Sequence, residues 1–214
     1  YAVALCLLLL IALLLWKPLP GQAAGAAQAA CQRGFFRRYP RFLLFLFGSG
    51  LAMVAYCMCC NFLVRIVEHL GGGSEELGTA VMIAGLAEIP TIFLSERLRR
   101  RFGSGTLMRF AAVMLTVKAA LICAATSIPF LYAAMLSQLL SYSLFVPVSV
   151  YYVDALMGRG DKVRGQAMMT LIPTVGTSVG SLVGGALLDR FGVPGMLLFC
   201  VLCSALGSAV MAMG

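Results

Sequence analysis

Two charged side chains stand deep inside long apolar stretches of this chain, Glu88 within 77–94 and Lys118 within 107–126. Each lies fifteen residues from Gly103. If the two stretches are membrane helices joined by the basic turn 95–106, each charge sits roughly 20 Å from that turn, at about 1.5 Å per residue. Both then lie near the bilayer midplane, where an ionisable residue costs roughly 2.5–3.5 kcal/mol and an opposite charge at the same depth is the expected remedy. A pair of this kind borders a water-filled path or a binding cavity, where a carboxylate can carry a proton or hold a solute. Read structurally, the same pair is only an ion bridge between two helices. Tyr56, Asn61, Gln138 and Tyr142 are uncharged polar residues in two other apolar stretches. They could hydrogen-bond a hydroxylated or aromatic solute, or serve as interhelical hydrogen bonds worth about 1–2 kcal/mol or less.

Other chemistries find little support. His69 is the sole histidine, so neither a His-based metal site nor a His-activated nucleophile is expected, and no metal or organic cofactor is assigned. Of eight cysteines, seven lie in apolar stretches and Cys31 in a basic linker. Cys200 and Cys203 form a C-x-x-C without a second ligand pair, which reads as small apolar packing rather than zinc or a disulfide framework. No Ser–His pair or carboxylate dyad appears at usable spacing, and the reading is not an enzyme.

The elements that must position these residues follow from composition. The chain is 61% hydrophobic and 11% charged, more apolar than a soluble core of this size requires. Spanning ~30 Å of hydrocarbon takes about 20 mostly apolar residues, and windows at 1–16, 42–64, 77–94, 107–126, 129–153, 166–188 and 195–214 qualify. The first reads as the end of a preceding membrane helix, a signal peptide being its rival, and 17–41 as a cytoplasmic linker. Residues 42–214 read as a six-helix transmembrane bundle. Thirteen of the sixteen Lys and Arg residues fall in 17–41, around 95–109 and in 154–165, alternate connections that the positive-inside rule places in the cytoplasm. The net charge of +8 is thus topological, and no nucleic-acid partner is expected. Asp154, Asp161, Lys162 and Arg164 form an exposed cluster on that side, with a gate as the functional alternative.

Pro90, Pro147 and Pro173 fall inside three windows; each removes a backbone donor and kinks its helix. Gly176, Gly180 and Gly184 recur at i, i+4 and i+8, a small-residue ridge that lets another helix approach closely. The ridge reads as tight packing, or as a surface on which a neighbour rocks.

Three stretches carry a family resemblance. Arg99-Arg100-Arg101-Phe102-Gly103 resembles the cytoplasmic Asp-Arg-x-Gly-Arg signature of the major facilitator superfamily, with Arg100 at the acidic position. Gly184-Gly185-Ala186-Leu187-Leu188-Asp189-Arg190-Phe191-Gly192 resembles its glycine-rich eleventh-helix end. Asn61-Phe62, Leu77-Gly78-Thr79, Ala87-Glu88-Ile89-Pro90, Lys118 and Val163-Arg164-Gly165-Gln166 together are similar to the lactose-permease-like oligosaccharide–proton symporter branch. The resemblance implies an all-α membrane protein, the six-helix C-terminal bundle of a twelve-helix fold, preceded by the end of the sixth helix and the central loop. It implies a missing N-terminal six-helix half as partner, a small-molecule solute bound between halves, a proton gradient as driving force, and a bacterial plasma membrane. Glu88 matches the branch's eighth-helix acidic residue and Lys118 its ninth-helix basic residue. Ser141 to Pro147 stand where its tenth-helix His and Glu would be. Arg100, Arg101, Asp154 and Arg164 then form a cytoplasmic gate. The expected activity is secondary transport, with a proton-driven drug or aromatic-compound exporter and a non-transporting membrane sensor or scaffold as alternatives.

Overall fold

The computed structural model describes residue 35 and residues 38–213, apart from residue 159 and the side chain of residue 92. The window expected at 1–16 and nearly all of the linker lie outside the described residues. Contacts divide the chain into Tyr1–Pro40 and Arg41–Gly214. In the first unit Phe35 and Tyr39 pack their rings 5.3 Å apart. The rest of the description concerns the second unit.

The described elements are helical, with no strand among them. Helix α1 (Pro40–Asn61) begins on a proline, whose missing N–H costs nothing in a first turn. A short α2 (Leu63–His69) continues it. Helix α3 (Ser74–Phe102) starts with Glu75 and Glu76 and ends with Arg99, Arg100 and Arg101, charges that suit the two ends of its dipole. The Gly73 N–H donates to Glu76 Oε2 at 2.8 Å and holds that carboxyl below its usual range. Helix α4 (Ser104–Cys123) follows after Gly103 alone. The turn expected over 95–106 is therefore one residue, made possible by the positive φ of 76° at that glycine.

The window expected as one helix over 129–153 is broken. Helix α5 (Ile128–Leu136) gives way to a 3₁₀ turn at Ser137–Leu139, and α6 (Tyr142–Leu156) resumes beyond it. The break falls at the Ser137-Gln138 and Ser141-Tyr142-Ser143 cluster, not at Pro147, which lies within α6. Helix α7 (Lys162–Met213) has non-helical backbone at Gly192, φ 67°. Its 52 residues would run roughly 80 Å if unbroken, more than twice a ~30 Å core, and the break at Gly192 divides it into two arms.

Among the described residues four helices, α5 with α6 counted as one, are long and apolar enough to cross a membrane, and α3 joins them as a bent pair, Ser74–Thr91 and Phe93–Phe102, at 53°. The bend follows Pro90, which cannot donate to the carbonyl four residues back. Apolar side chains cover the outside, with Phe93 and Leu182 each 77% exposed, as a lipid-facing surface allows.

Inside, α4 packs against α6 and α7. Thr116 on α4 shares hydrogen bonds with Ser204 (3.0 Å) and Ser208 (3.2 Å) of the second arm. The glycine ridge receives α1. A Cβ on Gly176 would meet Met53 at 3.1 Å, on Gly180 the Val54 carbonyl at 3.0 Å, and on Gly184 the Phe62 ring at 2.5 Å. A second crossing joins α1 to the other arm, where a Cβ on Gly207 would lie 2.6 Å from the Gly48 carbonyl. Helix α1 is thus held by both arms of α7 at backbone distance. Cys57, Cys59, Cys60, Cys123, Cys200 and Cys203 are free thiols.

Candidate functional site

Gln138 is the residue that brings the site together. The 3₁₀ turn carries its side chain inward, where it is 2% exposed, between α1, α3 and α4. Lys118 Nζ on α4 donates to Gln138 Oε1. Gln138 Nε2 donates to Glu88 Oε1 on α3 at 2.7 Å and to the Tyr56 hydroxyl on α1 at 2.9 Å. A carboxylate only accepts and an ammonium only donates, so one amide orientation satisfies both, carbonyl toward lysine and NH₂ toward glutamate. The two intramembrane charges are therefore bridged by a neutral dipole, in place of the direct ion pair expected from their equal depth. Lys118, 4% exposed, also lies 5.1 Å from the Tyr56 ring centroid, a cation over an aromatic face. Tyr56 stacks on Tyr142 at 4.5 Å and 6° between planes.

The break that positions Gln138 is well satisfied, as non-helical backbone at membrane depth must be. Ser143 Oγ donates to the Gln138 carbonyl at 2.9 Å. Thr91 Oγ1 donates to the Leu139 carbonyl at 2.7 Å, one residue past Pro90. The bend of α3 and the break before α6 thus share a hydrogen bond three residues from Glu88.

A cavity of about 280 Å³ opens beside this cluster, lined by Glu88, Lys118, Gln138, Tyr56, Cys60 and Ile122 among others. Its remaining wall is mostly aliphatic. A small set of convergent polar groups in an apolar recess is the ordinary composition of a small-molecule site. Half-buried Glu88 also borders a second space, lined by Ser95, Tyr142, Ser143 and Tyr151.

The other residues singled out in the sequence fall elsewhere. Asn61 Nδ2 donates to Ser181 Oγ at 2.9 Å, tying α1 to α7 away from the ion cluster. At the basic end, Arg100 pairs with Glu96 of its own helix at 2.8 Å and holds that carboxyl below its usual range. Asp154 lies 3.7 Å from Lys162 across the turn between α6 and α7, and Arg101 lies 5.6 Å from the ring of its neighbour Phe102. Helices α3 and α6 meet here through Arg99, whose guanidinium stacks on Tyr151 at 4.4 Å. In the sequence Arg99 is read only as part of the arginine-rich signature, and Thr91 is not singled out. Arg99 stands in a run of arginines, and Thr91 is conspicuous only as a hydroxyl next to Pro90. Among the described residues no cluster of His, Cys, Asp and Glu could hold a metal ion.

The profile of the MFS_1 like family matches residues 3–200. The chain is 30% identical over 221 residues to a maltose permease of Geobacillus stearothermophilus, an alignment covering 99% of this chain and 54% of that protein. The chain spans about half the length of the curated relative it matches.

Proposed function

The chain belongs to the MFS_1 like family, a branch of the major facilitator superfamily, and on that premise we propose that it forms one wall of a secondary transporter for a small organic solute, driven by proton symport. The observation that supports this is the Gln138 amide, joined at once to Glu88, Lys118 and Tyr56 on the wall of a recess. An immobile scaffold needs no charges at the midplane; a carrier needs a carboxylate that can gain and lose a proton there. Glu88 is that carboxylate in this reading. Lys118 compensates its charge through the amide, so that solute hydroxyls compete with Gln138 for both ions.

In this reading the six arms 42–214 are the C-terminal bundle, the other half supplies the facing wall, and the two rock about a midplane site. The solute is a hydroxylated one: the maltose permease relative is named for a sugar, and Glu88, Gln138 and Lys118 offer acceptors and donors suited to hydroxyls. The stacked Tyr56–Tyr142 pair and the aliphatic lining favour a second reading, proton-driven export of aromatic compounds.

The test is uptake by the full-length protein in proteoliposomes under an imposed pH gradient, with sugars, nucleosides and aromatic acids as solutes. An inward-acid gradient accelerating sugar uptake, lost in Glu88→Gln with the fold retained, is the expected result. Acceleration of aromatic efflux alone selects the exporter. No gradient dependence for any solute refutes proton coupling.

A further inference from the structure

Glu88 borders two spaces, and they lead in different directions. One is the recess with Lys118, Tyr56 and Cys60. The other is a groove of about 420 Å³ between α3 and α6, lined by Glu88, Ser95, Tyr142, Ser143, Pro147 and Tyr151, with Val146 beside them. Its far end is the basic end of the bundle, where Tyr151 lies under the Arg99 guanidinium.

The groove is roomy and polar enough to hold water. Ser95, Tyr142, Ser143 and Tyr151 bring hydroxyls to it, and Pro147 brings a carbonyl: a proline has no N–H for the oxygen four residues before it, here that of Ser143. Buried water needs two to four polar partners, and both walls supply them. On the α3 side the helix turns away by 53° beyond Thr91, between Glu88 and Ser95.

The geometry points to this groove as the route by which protons pass between Glu88 and the basic face, separate from the solute recess. The inference rests on the reading of Glu88 as the coupling carboxylate. The titratable groups around Glu88 are Tyr56, Cys59 and Cys60 from α1, Lys118 from α4 and Tyr142 from α6, with Tyr151 further along the groove and the neutral Gln138 amide from the break. Lys118, Tyr56, Cys59 and Cys60 line the recess, and Tyr142 and Tyr151 line the groove. A hydronium arriving by the groove passes the Arg99 guanidinium at the mouth, over Tyr151, and meets no further cation among the lining residues before it reaches the carboxylate. It transfers its proton to a carboxylate oxygen, leaving water and a neutral acid, and release is the reverse. Arriving through the recess, it would pass the Lys118 ammonium.

The route can be tested without knowing the solute. A membrane-impermeant, water-soluble carbodiimide is applied from the basic face to the reconstituted full-length protein, and adduct at Glu88 is quantified by mass spectrometry of its peptide, with Glu88→Gln as the blank. Two groove-filling variants, Ser143→Leu and Val146→Trp, are compared with Val81→Trp on the recess wall, each checked for an unchanged melting temperature. The expected result is at least fivefold slower modification in the groove variants and an unchanged rate in Val81→Trp. If Ser143→Leu disturbs the break, Val146→Trp, at an exposed position, carries the comparison alone. Equal rates in all proteins, slowing by Val81→Trp alone, or equal slowing by both classes overturns the separate route. Failure of the underlying reading has a different signature: modification remains groove-dependent while a pH gradient accelerates no solute. The groove is then a water path only, and the proton route falls.

Discussion

An amide can donate to a carboxylate and accept from an ammonium at once, and Gln138 does both in a site where either ion alone would be costly to bury. Hydrogen bonds to charged groups are worth roughly 1.5–3 kcal/mol each. Gln138→Leu should therefore lower the apparent melting temperature of the purified protein by several degrees and reduce gradient-driven uptake at least tenfold. Gln138→Glu keeps an acceptor for Lys118 but sets a second carboxylate against Glu88, so transport should fall more than stability does. If both variants lost stability and kept transport, the amide would be a packing element only. The double neutralisation Glu88→Gln with Lys118→Gln bears on the same point: a purely structural bridge predicts recovered uptake, and a coupling carboxylate predicts none. Glu88 and Lys118 were legible in the sequence because a charge inside an apolar run is costly and needs a reason. The bridge was not, because the direction in which Gln138 points depends on a 3₁₀ turn that breaks the 3.6-residue period on both sides. Asn61 shows the converse, a polar residue of the same class whose amide is taken by Ser181.

At the scale of the element, hydropathy marks windows because bilayer thickness fixes how many apolar residues each crossing needs. Averaging over such windows also conceals a break five residues long, 137–141, and the Ser and Gln residues from 137 to 143 are the signal it smooths away. The Thr91–Leu139 hydrogen bond ties that break to the bend after Pro90. Thr91→Val keeps the shape and removes the bond, with an expected loss of about 1–2 kcal/mol on the usual scale for a buried side-chain hydrogen bond. Uptake should slow more than a lipid-facing control such as Leu182→Ala, measured side by side. The glycine ridge was visible as a spacing, but its partner was not: α1 lies against it over Met53, Val54, Met58 and Phe62. The companion contact between Gly48 and Gly207 has no repeat to mark it. A side chain at Gly207 would meet Gly48 and Ala52 backbone atoms at 2.6 and 2.8 Å, which cannot yield as a flexible side chain can. Gly207→Val should lower yield and melting temperature sharply, as overpacking of roughly 1–3 kcal/mol or more does. Gly78→Ala, with open space around it, should leave both unchanged.

For the whole molecule, what remains to be placed is the membrane and the sidedness of its two faces. The basic residues gather at one end of the bundle, around the Gly103 turn and the α6–α7 turn, and the opposite end carries few. Anionic headgroups and the translocation machinery both favour retaining such charge in the cytoplasm. Gly160 and Ser127 sit in connections at opposite ends, both exposed, and Gly160 has open space around it. Cysteine introduced at each position should report the orientation through a charged, membrane-impermeant thiol reagent, scored over the labelling of the unsubstituted protein. Gly160→Cys should react only in inverted vesicles or after permeabilisation, and Ser127→Cys in intact cells. The opposite pattern would put the arginine-rich turns outside, and with them the mouth of the groove that leads to Glu88. A proton entering from the acidic side would then use the groove for uptake instead of release, so sidedness decides the direction of every step assigned to that carboxylate.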